Sequence, residues 1–151
     1  MEIPRRLWRF CTSGAQNKLA ARFGLQNDPG MQDWEYEIAD FQRLNEFLAA
    51  YESGKLSDDE RFTLMEMMLE SFRGSGEVEE RSPRWLHALA LIERNIELHV
   101  YTVCYWACLG HSEEELELAF EAAPDMRAML NRHADQFGFP FPESEDAESA
   151  S

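Results

Sequence analysis

Residues 97–111, ELHVYTVCYWACLGH, hold two of the three cysteines and two of the four histidines, so any thiolate or imidazole chemistry would concentrate there. On a helix turning about 100° per residue, Cys104, Cys108 and His111 fall within about 60° of one another. Thiolate and imidazole suit zinc, but a structural zinc site takes four ligands. The fourth would have to come from Cys11, His87, His99 or His133, and no paired ligand spacing supplies it. Reduced cysteine behaves as a small hydrophobe. The expected role of the stretch is therefore the wall of a core, with no metal and no cofactor.

Asn95 and His99 are the polar exception. Four residues apart, they share one side of a helix. Leaving either buried without a partner would cost about 1–3 kcal/mol. They are expected to form a buried polar pair that links this helix to a neighbour such as the Trp34–Tyr36 segment. A catalytic or small-molecule pocket around Asn95 and His99, with Tyr101 and Trp106, is the enzymatic alternative. As a general base His99 would need a nucleophile in reach. Cys104 lies about 140° round the same helix, which disfavours cysteine–histidine catalysis. No catalytic residue is assigned.

Carboxylates recur at helical spacing: Glu66 with Glu70, Glu93 with Glu97, and Glu113 with Glu117 and Glu121. Glutamates facing into a bundle can hold two iron or manganese ions, but that design also needs Glu-x-x-His, and no glutamate here has a histidine three residues on. Like charges four apart weaken an isolated helix by a few tenths of a kcal/mol. Such faces are either solvated or matched by a basic partner.

The net charge of −15 sharpens that choice. It disfavours nucleic acid and anionic membranes, which recruit positive surfaces. Cations gather near the start, at Arg5, Arg6, Arg9, Lys18 and Arg22, leaving the remainder more acidic still. The expected function is an acidic protein-interaction protein. Its sharpest form is an immunity protein or inhibitor that neutralises a basic, nuclease-like toxin through charge complementarity. The expected docking residues are Asp58, Asp59, Glu66, Glu70, Glu113, Glu117 and Glu121. The alternative is an adaptor that binds an apolar peptide through Trp8, Phe10, Phe139 and Phe141. A homodimer through one apolar helical face is a further option.

The elements that must position these residues read as all-α. Asp40 precedes Phe41, Leu44, Phe47, Leu48 and Tyr51 at helical spacing. Ser57 and Glu60 form a capping box before Phe62, Met65, Met68, Leu69 and Phe72. Ser82 and Pro83 open what reads as one long helix, 83–109, amphipathic at first and apolar nearly all round later. Ser112 and Glu115 suggest another capping box, and Pro124 opens a last helix to about 136. Ser13 and Gly24 bracket a short basic helix. Trp34, Tyr36 and Ile38 alternate with glutamates, a period of two that predicts an extended segment.

The expected architecture is a single bundle of about five to six helices around a central apolar helix (83–109), with an extended segment (31–38) packed on it. Residues 1–12 form an N-terminal segment of uncertain order, 13–138 the helical domain, and 139–151 an acidic disordered tail. Three cysteines without a secreted framework, and no apolar run long enough for a signal or a membrane span, lead to an expected cytoplasmic location.

Overall fold

The computed structural model describes residues 3–28, 31, 34–108 and 121–138. A 3-10 turn, Arg5–Leu7, precedes α1 (Ser13–Phe23) and the one-turn α2 (Trp34–Glu37). A second 3-10 turn, Phe41–Arg43, leads into α3 (Leu44–Glu52). Then come α4 (Asp58–Phe72), α5 (Glu77–Glu80), α6 (Pro83–Arg94), α7 (Ile96–Trp106), α8 (Ala123–Arg132) and α9 (Ala134–Phe137). The fold is all-α, and no strand occurs among the described residues.

Local chemistry explains most boundaries. Ser57 Oγ accepts from the Glu60 amide at 3.2 Å, and the Glu60 carboxylate accepts from the Ser57 amide at 3.3 Å. This capping box satisfies two amides that the first turn of α4 would otherwise leave bare. Ser82 caps α6 through the Trp85 amide at 3.0 Å, with Pro83 in the first turn. Thr12, one residue before the expected Ser13, caps α1 by accepting from Ala15 N at 3.1 Å. Gly24 ends α1 at φ 65°, a left-handed conformation that costs a side-chain-free residue little. Asp40 caps the 3-10 turn through Gln42 N at 3.0 Å, so α3 itself starts only at Leu44.

The chain divides into two compact units, Phe10–Leu98 and a second made of the N-terminal residues with those from His99 onward. In the first, α4 is the organising helix. It packs against α1, α2 and α3. Phe62, Leu64, Met65, Met67, Met68, Leu69 and Phe72 are all buried, so α4 is covered on nearly every side. Around it, Phe23 meets Phe47 edge-on at 5.1 Å and Phe72 meets Trp85 in the same way. Arg43 spans α1 and α3: it pairs with Glu46, donates to the Phe23 carbonyl at 2.9 Å and lies over the Phe23 and Phe47 rings.

Trp34–Glu37 is a helical turn, not an extended segment. Trp34 and Ile38, four apart, are buried, whereas Tyr36 between them is 60% exposed. A strand would have put all three on one face; a helical turn cannot. The Trp34 indole is fixed by donation to the Gln26 carbonyl at 2.8 Å.

Nor is 83–109 one helix. It breaks at Asn95 and its second part ends at Trp106. Asn95 takes φ −117° and ψ 41°, outside the helical well, and its side-chain amide donates to the Leu91 carbonyl at 2.9 Å. Asparagine competes with the backbone for such carbonyls, which is why it interrupts helices. With the break, the central place in the first unit belongs to α4.

In the second unit, Arg127 on α8 is buried and donates to the carbonyls of Ala107 and Cys108 at 2.9 and 3.1 Å. A guanidinium there satisfies orphan carbonyls and meets the negative end of the α7 dipole. Cys108 adopts φ 56°, beyond the helix end. Arg6 donates to the Phe137 carbonyl at the end of α9. The expected last helix is divided at His133 into α8 and α9. The helix expected after Ser112 and the 139–151 tail lie outside the described residues. No helix among the described residues is long and apolar enough to cross a membrane.

Candidate functional site

The expected docking carboxylates fall in three places. Asp58 and Asp59 open α4 and are exposed, with Asp58 paired to Arg61. Carboxylates in a first turn are favoured by the helix dipole, which explains their position without any partner. Glu66 and Glu70 lie further along α4 and are half-buried, Glu70 facing Arg73 at 3.8 Å. Glu121 precedes α8, in the second unit, and is also half-buried. Glu113 and Glu117 lie outside the described residues. Of the seven, the fold joins Asp58 with Asp59 at a solvent-facing helix start; it sets Glu66 and Glu70 down into the packing around α4. Exposed acidic residues unmarked by the sequence reading, Glu79 and Glu80 on α5, add to the surface of the first unit.

Asn95 and His99 differ in burial. His99 is fully buried on α7. Asn95 is half-buried, and its partners come from α3, α4 and α6, not from the Trp34–Tyr36 segment. Arg61 Nη1 donates to Asn95 Oδ1 at 3.3 Å, and Asn95 also hydrogen-bonds the Tyr51 hydroxyl. Burial pushes the Tyr51 phenol up to about 12, with Arg61 and Asn95 pulling the other way. A neutral phenol at physiological pH follows.

These residues border a cavity of about 410 Å³. Tyr51 and Asn95 supply polar wall, Leu56 and Leu91 apolar wall, and Arg61 and Arg94 positive charge. The Arg61 guanidinium lies over the Tyr51 ring at 5.9 Å. Glu52 also lines the cavity, and its carboxylate meets His87 Nε2 at 2.8 Å. Asn95 was legible as a special position; Tyr51, Arg61 and Arg94 were missed. One signal existed: Arg61 places a cation close to the positive end of the α4 dipole, an unfavourable choice unless something else holds it there.

Cys104 and Cys11 are both shifted away from activation. Cys104 is buried, and burial pushes its thiol up to about 12. Cys11 is raised to about 12 as well, by burial first and then by the carboxylates of Glu66 and Glu35. A nucleophilic cysteine needs the opposite shift. Among the described residues no three of His, Cys, Asp and Glu gather where a metal ion would sit; His111, the third member of the trio considered from sequence, lies outside them. No protein-family model, curated protein or solved structure matches this chain.

Proposed function

We propose that this chain is an acidic helical protein-interaction protein that docks a basic partner, in the manner of an immunity protein or inhibitor covering the cationic active site of a nuclease-like toxin. The observation that carries the reading is the net charge of −15, with Asp59, Glu79 and Glu80 exposed on the first unit. Charge of this size accelerates encounter with a cationic surface and repels nucleic acid, which the inhibitor must leave alone. The described cysteines, none in a disulfide, suit a reducing cytoplasm. Asp59, with Glu79 and Glu80, is the preferred contact set of the first unit, because Glu66 and Glu70 are half-buried.

The test is affinity capture from the source cells at low salt, followed by stepped salt elution and mass spectrometry. A single basic protein recovered in stoichiometric amount, and released at moderate salt, supports the proposal, because screening weakens exposed charge pairs beyond about 8–10 Å. Recovery of no specific partner, or of one that resists salt and leaves only in detergent, contradicts it and favours an apolar docking mode.

A further inference from the structure

The cavity between α3, the N-terminal part of α4 and the end of α6 gathers two arginines beside one carboxylate, Glu52. Arg61 and Arg94 both border it, in a chain where acidic residues outnumber basic ones by about two to one. Two guanidiniums at one concavity repel each other unless something anionic lies between or beside them. Arg61 is matched in part by Asp58. Arg94 is exposed and enters no ion pair among the described residues. The Glu52 carboxylate at the same cavity is turned to His87 at 2.8 Å. Leu56 and Leu91 add an apolar wall, and the volume of about 410 Å³ falls in the range of small-molecule sites.

We propose that this cavity binds a small organic oxyanion, a carboxylate or phosphate monoester with an apolar body, whose oxygens face Arg94 and Arg61 and whose body rests on Leu56 and Leu91. The guanidinium fork suits such oxygens because it donates two parallel charged hydrogen bonds. Asn95 holds the site open: the break it makes between α6 and α7 ends α6 next to Arg94, and its bond to Arg61 aims that side chain at the cavity. The site does not depend on the docking reading above.

The test is an amide NMR titration of the intact protein with four probes: benzoate, phenyl phosphate, inorganic phosphate and benzylamine. Saturable shifts at Gly54, Arg94 and Asn95 are expected with benzoate and phenyl phosphate in the millimolar range. Inorganic phosphate should bind about tenfold more weakly, since it lacks the apolar contact. Arg94→Ala, on an exposed side chain, should keep a folded spectrum and weaken benzoate about tenfold, with Arg94→Lys between the two. Shifts that never saturate, equal binding by benzylamine, equal binding by inorganic phosphate, or an Arg94→Ala protein that binds benzoate unchanged would each overturn the proposal.

Discussion

Arg61 Nη1 donates to Asn95 Oδ1 across 3.3 Å, joining the N-terminal part of α4 to the interruption between α6 and α7. Asn95 in turn donates to Leu91 and bonds the Tyr51 hydroxyl, so one amide side chain meets three elements. Replacing it with Ala opposes two effects. Helix propensity improves by roughly 0.7 kcal/mol. The lost hydrogen bonds, with the phenol oxygen left short of a donor and the guanidinium short of an acceptor, cost about 1–3 kcal/mol. The second effect is larger, and Asn95→Ala should lower Tm by about 2–4 °C. A rise in Tm, measured by circular dichroism, would show that the interruption is a tolerated fault and not a joint.

The Ser57–Glu60 capping box opens the helix on which the first unit is built. Loss of an N-cap hydroxyl typically costs about 1 kcal/mol. Ser57→Ala should therefore lower Tm by about 2–4 °C, and Ser57→Asp, which keeps an acceptor, should lower it less. Equal loss from both variants in thermal melts would deny the cap its role.

Glu77 and Arg84 contribute to the acid response, as do Glu46 and Arg43. Arg84 pairs with the Glu77 carboxylate, Ser82 donates to it at 2.8 Å, and together they hold the carboxyl below its ordinary range, the Arg84 bond contributing most. A depressed folded-state pKa means the unfolded chain takes up the proton first. The stabilisation is thus present above the unfolded carboxylate value, about 4.3, and is lost as pH falls through the folded one. Melts across pH 3–7 should be flat near neutrality and fall below about pH 4. Glu77→Gln should lower the neutral Tm and flatten that acid limb; an unchanged limb contradicts the assignment.

The alkaline limb has the opposite origin. Cys11, Cys104 and Tyr51 are each raised to about 12. The unfolded chain then releases protons that the folded chain keeps, so stability should fall as pH rises above the ordinary thiol value of about 8.5. Under native conditions iodoacetamide should modify half-buried Cys108 well before buried Cys104. Equal alkylation of these two, read by peptide mass mapping, would contradict this.

Much of the fold could be read from sequence because its signals were local. Ser57 with Glu60, Ser82 with Pro83, and Gly24 all mark boundaries by bonds or dihedrals within a few residues. The failures were tertiary or competitive. The Trp34–Ile38 stretch fits a period of two or of four at so short a length, and only the exposure of Tyr36 decides between them. Apolar content points to 83–109 as the central helix, whereas α4 owes its central place to methionines diluted by Glu60, Glu66 and Glu70. The polarity of Asn95 marks the position in the sequence, but spacing does not encode the backbone carbonyl it captures. The cavity unites residues 51, 61 and 94 through packing of three helices, and no spacing along the chain encodes that meeting.

Exposed carboxylates, not an apolar face, are proposed to recruit the basic partner. The most direct measurement compares capture of that partner by the wild-type chain and by an Asp59→Lys, Glu79→Lys, Glu80→Lys variant, at low salt and at moderate salt. Stoichiometric capture by the wild type is expected at low salt, loss of it at moderate salt, and little capture by the folded variant at either. Undiminished capture by the variant, or capture that salt does not weaken, would contradict it.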